Sequence, residues 1–586
     1  MGKTPYASIA IAIAYTMLAG LMFFVFEMNP LVLTIPTPCR VMPWIAHGCR
    51  RANARNHHIQ GRLSKFFHLT PFSELSIAPV PGRRWHPTCA DNCGWYLYSP
   101  ALNGVAMLFN SVHFAIFFLI VSALLVVVPP RRRWLPLLAS SYYFYMAWRA
   151  EHVLVLMGAT LVTYLAALGM VANSDPKRKK ILLVSCLTIN IGTLFFFKYF
   201  NFFSRSLNEA LRAWNVFAGA PILDLVLPIG ISFYLFQSTG YAVDVYRGRV
   251  QPERHLGLFA LFVAFWPQIL AGPIGRAEQL LPQLKKAPPF DYPRVVQGLR
   301  LMLWGLFKKV VIADHLAVYV GQVYGHLDSY HGFPLIFAAV FYTVQIYCDF
   351  SGYTDMARGA ARIMGYELME NFNLPYFAKS MREFWQRWHI SLSTWFRDYV
   401  YIPLGGRRVA RWRWYANLMI TFTLSGLWHG ANWTFIIWGA IHGGCLVLEY
   451  MTDGFQQRLA DRLFRDRNST GHKMVQAGIT WTLVCLAWVF FRSNSAVDAF
   501  QWIGHMFLID PNQMGIAVVG PSSFLLSILL ILILTASDLK ERRIKLYAYL
   551  ERWPLPLRWS VYTLSLWAVA IATIFGVRQE FIYFQF

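Results

Sequence analysis

The sequence has few charged residues, and acidic residues are the scarcest of them. Only 14% of its 586 residues are charged, against about a quarter in an ordinary globular domain. Lys and Arg number 53 and Asp and Glu 29, which gives a formal net charge of +24. On a water-soluble chain that excess would indicate nucleic acid, but 56% of the residues are hydrophobic. We therefore expect a protein of the lipid bilayer without a nucleic-acid partner, whose basic residues lie in cytoplasmic loops near anionic lipid.

Familiar catalytic and binding motifs are also absent from the sequence. It contains no P-loop, dinucleotide-binding fingerprint, G-x-S-x-G or H-E-x-x-H motif, and no clear internal repeat. His86, Cys89 and Cys93 do not have the spacing of a familiar zinc motif. We expect no metal site.

Apolar runs of spanning or near-spanning length follow one another along the chain. The runs cover 108–128, 134–148, 152–172, 180–203, 222–243, 255–273, 294–320, 333–348, 414–428, 432–450, 474–491, 515–536 and 558–577. The expected fold class is an all-α polytopic membrane protein with about eleven to fourteen transmembrane or re-entrant helices, since several runs are shorter than a full crossing. Two basic clusters, 131–133 and 177–180, both lie in the cytoplasm if the two short runs between them cross twice.

The first 106 residues differ from the rest. Residues 1–28 contain an apolar run that resembles an uncleaved membrane anchor, and 29–106 form a polar, basic extension that holds four of the eight cysteines. Two interpretations stay open. The extension is either a disulfide-stapled outer cap, or a disordered or untranslated sequence upstream of a natural start at Met107. The remaining cysteines, Cys186, Cys348, Cys445 and Cys485, lie in apolar runs and are expected to be small buried residues.

The segment 381–401 separates two faces at helical spacing. Phe384, Trp388, Leu392, Trp395 and Tyr399 form the apolar face, and Arg382, Gln386, His389, Ser393 and Arg397 form the polar one. This pattern predicts a helix that lies at the membrane interface with His389 on its polar side. His389 is then either a functional residue or one that hydrogen-bonds a lipid head group.

A second histidine, His429, stands within an apolar run. Ionisable groups at that depth are costly and rare, which makes His429 a candidate for function. Imidazole is suited to take a proton from a hydroxyl group and to return it. Gly426, Gly430 and Ala431 flank it and are expected to let a substrate approach the ring. His442 is more readily explained as a histidine bonded to a neighbouring helix.

Two carboxylates, Asp349 and Asp355, stand at the end of another apolar run. They offer a proton relay, but an ion pair between Asp355 and Arg358 that holds helices together explains them better.

Several motifs, taken together, resemble one family. The segments are Leu227-Pro-Ile-Gly-Ile-Ser-Phe-Tyr234, Val243-Asp-Val-Tyr-Arg-Gly248, Pro267-Gln-Ile-Leu-Ala-Gly-Pro273, Gly305-Leu-Phe-Lys-Lys-Val-Val-Ile-Ala-Asp314, Asp349-Phe-Ser-Gly-Tyr-Thr-Asp355, Asn371-Phe-Asn-Leu-Pro-Tyr376, Trp388-His-Ile-Ser-Leu-Ser393, Tyr401-Ile-Pro-Leu-Gly-Gly406 and Gly426-Leu-Trp-His-Gly430. The chain from about Met107 to its C-terminus resembles the membrane-bound O-acyltransferases, and among them the bacterial alginate O-acetyltransferase branch. Residues 107–586 would then form the acyltransferase domain.

The resemblance implies a bowl of helices in the bacterial inner membrane with a central tunnel, where an acyl thioester from the cytoplasm meets an acceptor hydroxyl. The family's two signature histidines fall on His429, as general base, and His389, which orients or polarises the reacting groups. The implied donor is acetyl-CoA, with its phosphates near Arg407, Arg408 and Arg411. No bound cofactor or metal is implied.

In the alginate branch a periplasmic polysaccharide O-acetyltransferase receives the acetyl group, so a partner of that kind is implied. Alternative functions are a D-alanyl transfer to a cell-wall polymer, a proton-coupled transporter and a scaffold that recruits a periplasmic enzyme.

Overall fold

The computed structural model describes most of the chain from Met107 onward. It covers residues 107–215, 219–270, 272–286, 288–464, 466–508, 510, 513–541, 550, 552–576 and 579–584. The proposed anchor at 1–28 and the extension at 29–106 lie outside the described residues. Within the described ranges the regular structure is helical, without strands.

The helices follow one another through short connections. The first ten are α1 (Val112–Val127), α2 (Trp134–Met146), α3 (Val153–Ala172), α4 (Pro176–Leu194), α5 (Phe200–Ala213), α6 (Ile231–Tyr246), α7 (Leu256–Ala264), α8 (Trp266–Ile269), α9 (Ala277–Lys286) and α10 (Tyr292–Leu306). The next ten are α11 (Asp314–Gly325), α12 (Phe333–Met364), α13 (Met381–Arg387), α14 (Ile390–Phe396), α15 (Arg411–His429), α16 (Trp433–Leu463), α17 (Thr470–Arg492), α18 (Ala496–Met506), α19 (Pro521–Glu541) and α20 (Leu555–Phe575).

Three π-helical segments occur among the described residues, and two of them join consecutive helices into longer units. They are Phe195–Tyr199 between α4 and α5, Phe307–Ala313 between α10 and α11, and Arg397–Tyr401 directly after α14. Such turns often mark functional positions in helices, and two of the three carry side chains that contact the site described below.

Seven helical stretches among the described residues are long and apolar enough to cross a membrane. They are Ala150–Ala172, Pro176–Ala213, Phe333–Met364, Trp433–Leu463, Thr470–Arg492, Pro521–Lys540 and Leu555–Ile574, and two shorter apolar helices accompany them. Large apolar side chains such as Leu529, Leu564 and Trp567 are exposed on their outer faces, as lipid contact requires. The all-α polytopic fold class is confirmed, while the bowl, the tunnel and the total of eleven to fourteen crossings or re-entrant helices stay predictions.

The long central helix α12 has clear start and stop signals. Pro334 lies in its first turn, where the missing backbone N–H costs no hydrogen bond. Gly365 ends it in the left-handed conformation at φ 100°, which glycine adopts without a steric penalty. The helix extends well past the expected run at 333–348, because buried polar residues of its second half pair with other helices.

Helices α10 and α12 approach each other through pairs of glycines. A Cβ atom on Gly305 would lie 2.6 Å from the carbonyl oxygen of Gly352, and one on Gly298 would lie 2.7 Å from that of Gly359. Small residues at such crossings let helix backbones pack closely, as membrane helices commonly do. The close contact holds the charged residues of α12 against the π-helical segment that follows α10.

Buried ion pairs connect the same two elements. Lys309 Nζ lies 2.7 Å from carboxylate oxygens of both Asp314 and Asp349, and Lys308 Nζ lies 2.7 Å from Asp355. Asp355 also pairs with Arg358 at 3.4 Å as predicted. Both residues lie on α12, so it is Lys308 and not Arg358 that connects Asp355 to another element. The geometry gives both carboxylates structural partners.

Candidate active site

His389 occupies a break between two short helices. The interface helix predicted for 381–401 is wrong as a continuous helix, because α13 ends at Arg387 and α14 begins at Ile390. His389 adopts φ 43°, in the left-handed region, which is uncommon for a residue other than glycine. The side chain is 0% exposed and so does not lie on a solvent-facing polar side. Strain at such a position is typical of functional sites.

Asn371 holds this break in place. Its backbone oxygen accepts a hydrogen bond from the Ile390 N–H at 2.9 Å. Its side-chain Oδ1 accepts from the backbone N–H of Ser391 at 3.1 Å and from the Ser391 hydroxyl at 2.9 Å. The same oxygen lies 3.2 Å from His389 Nδ1. The turn therefore fixes both the backbone and the ring of His389.

His429 is the last residue of α15, at the junction with α16. It is 3% exposed, and neither of its ring nitrogens has a hydrogen-bond partner among the described residues. A buried polar group without a partner is costly, so His429 stays a candidate for function. A charged imidazolium without a counter-ion would cost more still, which favours the neutral form.

Lys198 contacts the end of α15 from the π-helical segment after α4. Its ammonium group donates to the carbonyl oxygens of Trp428 at 2.8 Å and His429 at 3.0 Å. A cation at a helix C-terminus stabilises the carbonyl groups that the helix leaves unpaired. Lys198 thereby fixes the backbone that carries His429.

The two histidines share one aromatic chamber. Their ring centroids lie 6.4 Å apart, and the Trp428 ring lies 5.0 Å from His429 and 6.0 Å from His389. Tyr583 closes the chamber from the C-terminal segment, with its ring 5.7 Å from His429 and 6.4 Å from His389. Phe350 lies 4.7 Å from His389 on another side. The structure thus brings together both sequence-predicted histidines.

The glycines beside His429 have a different purpose from the one expected. A Cβ atom on Gly426 would lie 2.2 Å from the Phe435 carbonyl oxygen, and one on Gly430 would lie 2.1 Å from the Phe435 ring. The expectation that they leave space for substrate is wrong, because protein atoms of α16 fill that space. They allow α15 and α16 to cross closely.

His442 lies outside the chamber, behind an aromatic ring. Trp438 separates it from His429, with ring centroids 4.7 Å from His442 and 5.0 Å from His429. Its nitrogens have no hydrogen-bond partner among the described residues, so the expected bond to a neighbouring helix is not found there. Cys186, Cys348 and Cys485 are buried as predicted, while Cys445 is only half-buried.

The sequence interpretation missed two residues at the site. Lys198 follows three phenylalanines in an apolar run, and its charge in that setting was a usable signal. Tyr583 gave no signal, because it reaches the histidines only through the fold. The backbone N–H of Ile582 donates to Asp349 at 2.8 Å and Lys309 donates to the Gln579 carbonyl at 3.1 Å, which fastens the C-terminal segment beside the chamber.

A cavity of about 850 Å³ lies between α10, α12, α19 and α20. Its lining includes six basic residues, Arg300, Lys308, Arg358, Arg362, Arg387 and Lys540. Two carboxylates, Asp355 and Glu370, line it as well. Arg407, Arg408 and Arg411, which were expected near the donor phosphates, are not among the residues that line it.

Aromatic rings connect this cavity with the chamber. Phe372 lines the cavity, and its ring centroid lies 5.0 Å from that of Phe350. Phe350 in turn contacts the His389 ring. The cavity and the histidines are therefore separated by two side chains.

Comparison with known protein sequences identifies the family of this chain. The sequence model of the membrane-bound O-acyltransferase family matches residues 255–497, which contain both histidines. A probable alginate O-acetylase of Pseudomonas putida is 40% identical over 376 residues, which is 63% of this chain and 74% of the relative. The chain belongs to the membrane-bound O-acyltransferase family.

Other relatives place it more closely. A probable alginate O-acetylase of Pseudomonas aeruginosa is 38% identical over 372 residues, 63% of this chain and 69% of the relative. A peptidoglycan O-acetyltransferase of Helicobacter pylori is 34% identical over 385 residues, 61% of this chain and 71% of the relative. The protein is a multi-pass membrane O-acyltransferase of the alginate O-acetyltransferase branch.

Family motifs contact one another around the chamber of this acyltransferase. Phe233 belongs to the first motif, and its ring centroid lies 5.3 Å from that of Trp428. The ring of Phe236, from α6, stacks on that of Trp395 with centroids 3.8 Å apart. Asp244 accepts a hydrogen bond from Tyr399 at 2.6 Å. Segments that are far apart in the chain therefore form one structural unit around the two histidines.

Proposed function

We propose that this acyltransferase takes an acetyl group from cytoplasmic acetyl-CoA for the O-acetylation of an exopolysaccharide such as alginate. The observation that carries the proposal is the pair of buried histidines with open ring nitrogens in one chamber. The names of the relatives from two Pseudomonas species and Helicobacter pylori support acetyl transfer to a cell-surface polymer. The bacterial inner membrane is the proposed location.

In the proposed reaction His429 acts as general base. One of its ring nitrogens takes the proton of the acceptor hydroxyl, and the hydroxyl oxygen attacks the thioester carbonyl carbon. The new C–O bond forms as the C–S bond breaks. The proton passes to the leaving thiolate, so the products are an O-acetyl ester and free CoA. His389 orients the reacting groups from the other side of the chamber.

We place the donor nucleotide in the basic cavity. CoA carries several phosphate charges, and arginine side chains bind phosphate well because their planar guanidinium groups donate two hydrogen bonds at once. Six basic residues and two acidic ones line the cavity, together with apolar side chains for the rest of the molecule. Four of the basic residues, Lys308, Arg358, Arg362 and Arg387, also pair with carboxylates. The rings of Phe372 and Phe350 lie between this cavity and His389, so in the proposed complex the pantetheine arm passes these two side chains to reach the histidines.

The expected orientation of the protein in the membrane also favours this cavity as the donor site, because contacts connect the cavity with the first basic cluster. Arg362 of the cavity pairs with Glu367 at 2.7 Å, and Gln283 accepts from the Glu367 backbone N–H at 2.8 Å. Arg133, of the first basic cluster, donates to the Pro288 carbonyl at 3.0 Å. The positive-inside rule puts that cluster in the cytoplasm, where acetyl-CoA is present.

A periplasmic polysaccharide O-acetyltransferase is the proposed partner, which receives the acetyl group on the opposite side. This part of the proposal rests on the family resemblance. A D-alanyl donor, a transporter and a scaffold are the competing functions, and the experiment below separates them.

The test is release of free CoA from radiolabelled acetyl-CoA by the full chain in lipid nanodiscs, with alginate oligosaccharide as acceptor. We expect free CoA with label on the oligosaccharide, or on a periplasmic polysaccharide O-acetyltransferase in a parallel reaction to which one is added. For Arg300→Gln we expect the KM for acetyl-CoA to rise about tenfold, because the substitution removes one charged hydrogen bond to the donor. Arg132→Gln, a change of equal charge in the exposed cytoplasmic cluster, is the control.

Turnover of a D-alanyl thioester but not of acetyl-CoA would contradict the acetyl proposal. A folded wild-type protein that consumes neither thioester would favour the transporter or scaffold. An unchanged KM in Arg300→Gln would move the donor site away from the cavity.

A further inference from the structure

The Asn371 side chain makes contacts that define the chemistry of His389. Asn371 is 0% exposed, and its Oδ1 faces three groups at once, the Ser391 N–H, the Ser391 hydroxyl and His389 Nδ1. A backbone N–H is always a donor. The Asn371 atom that it meets is therefore the amide oxygen, and the alternative orientation of the amide is excluded.

This orientation determines which nitrogen of His389 carries the proton. An amide oxygen accepts hydrogen bonds and cannot donate them, so the nitrogen that faces it at 3.2 Å must be protonated. In a neutral imidazole the other nitrogen then carries a lone pair. His389 Nε2 has no hydrogen-bond partner among the described residues.

The surroundings of His389 favour the neutral ring. Besides the neutral amide of Asn371, the aromatic rings of Phe350, Trp428, His429 and Tyr583 lie near it. Lys198 donates its hydrogen bonds to the carbonyl oxygens of Trp428 and His429. No carboxylate is hydrogen-bonded to the His389 ring among the described residues, and an unpaired buried charge is costly.

We propose that Asn371 is a positioning residue that keeps the proton of neutral His389 on Nδ1, so that Nε2 is a hydrogen-bond acceptor in the chamber. This inference deepens the proposed function, and its catalytic consequence rests on that function. A neutral His389 of this form cannot donate to the thioester carbonyl from Nε2. Instead, Nε2 accepts a hydrogen bond from a group that lies between the two rings and is itself hydrogen-bonded to His429.

The position of His389 beside His429 gives the hydrogen-bond acceptor at His389 Nε2 a role in the proposed reaction. Deprotonation of the hydroxyl makes His429 an imidazolium ion in an apolar chamber. At 6.4 Å between the ring centroids the two imidazoles do not hydrogen-bond directly, so the proposal requires one hydroxyl group or water to bridge their nitrogens. An acceptor at Nε2 of His389 stabilises the transient charge, as the third member of a nucleophile, base and orienting-group arrangement does.

The first test measures the tautomer itself. Solid-state ¹⁵N NMR of the full chain in lipid, with labelled histidine, distinguishes protonated from unprotonated ring nitrogens, and comparison with His389→Gln assigns the signal. We expect a protonated Nδ1 and an unprotonated Nε2 at neutral pH. A proton on Nε2 would overturn the inference. Because this readout needs no turnover, it remains decisive if the acetyl-transfer proposal fails.

The second test uses variants of Asn371. For Asn371→Ala we expect kcat to fall about 100-fold, within the range for acid–base groups, with the KM for the donor little changed and the Nδ1–H preference lost. Asn190→Ala is the control for the loss of a buried asparagine, since Asn190 is 1% exposed and donates to Thr163 at 3.0 Å. It should lower thermal stability and leave kcat unchanged.

Asn371→Asp separates positioning from simple support of the turn. The carboxylate keeps an acceptor for Ser391 but favours a doubly protonated His389, which removes the Nε2 lone pair. Because the carboxylate raises the pKa of His389 in this variant, the ring is protonated and transfer is lost at neutral pH. Transfer recovers as the pH rises and the ring loses its second proton. A folded Asn371→Ala with wild-type kcat, or an Asn371→Asp profile identical to that of wild type, would contradict the proposal.

Discussion

Lys198 illustrates how much a single side chain contributes to the geometry of His429. Its two hydrogen bonds reach carbonyl groups more than 200 positions away in the chain. Hydropathy alone marks the surrounding residues as one apolar span and does not say what the ammonium group contacts. Contacts at this sequence distance are the part of the site that periodicity cannot predict.

Replacement of Lys198 should therefore lower activity without removing the protein from the membrane. For Lys198→Met we expect kcat to fall about tenfold, since the lost interactions at a helix terminus are worth up to about 2 kcal/mol. Lys198→Arg, which retains the charge, should keep most activity. Transfer rates of the purified variants measure the effect, and equal rates for Lys198→Met and wild type would contradict the role.

Lys309 has a structural role that can be measured as stability. It lies against two buried carboxylates, Asp314 and Asp349. Lys309→Met leaves both without their cation, and breaking a buried pair costs about 3–5 kcal/mol. We expect a clear fall in the temperature at which the detergent-solubilised protein unfolds and loses its monodispersity. Lys180→Met, an exposed lysine, should leave that temperature unchanged, and an equal result for both variants would exclude the role.

At the scale of elements, the sequence predicted most helices but not how the site is assembled from them. The runs at 152–172 and 474–491 correspond closely to α3 and α17, because long apolar segments have few alternatives in a bilayer. The pattern at 381–401 failed. A left-handed residue stabilised by Asn371 overrode a regular helical period, and only tertiary contacts reveal that.

The crossing of α15 and α16 should be sensitive to one methyl group. Gly426→Ala places a Cβ 2.2 Å from the Phe435 carbonyl oxygen, so the helices must separate and His429 must move. We expect lower stability and at least about a tenfold loss of transfer, since overpacking costs about 1–3 kcal/mol. Gly444→Ala on α16, where a Cβ meets nothing within 4 Å, is the matched control. Similar losses in both variants would contradict the packing argument.

On the scale of the whole molecule, the described chain from Met107 holds the helices, the chamber and the basic cavity together. Met107 and Phe109 are themselves buried in the core. The family match covers residues 255–497, and the extent 107–586 of the domain stays a prediction. The cavity was not predicted, since its basic residues come from separate helices and each alone resembles an ordinary cytoplasmic arginine or lysine.

A protein that begins at Met107 should accordingly insert and transfer acetyl groups at a rate close to that of the full chain. Expression of 107–586 beside 1–586, with CoA release per mole of purified protein, makes the comparison. An inactive but folded short form would assign an essential role to residues 1–106.

In the proposed reaction His429 takes the proton of the acceptor hydroxyl during acetyl transfer. The direct measurement is single-turnover transfer from radiolabelled acetyl-CoA by His429→Gln, with His442→Gln as a control that is equally buried and equally without a hydrogen-bond partner among the described residues. We expect His429→Gln to be monodisperse and to lose at least about 100-fold in rate, while His442→Gln retains transfer. A folded His429→Gln with wild-type rate would contradict the claim.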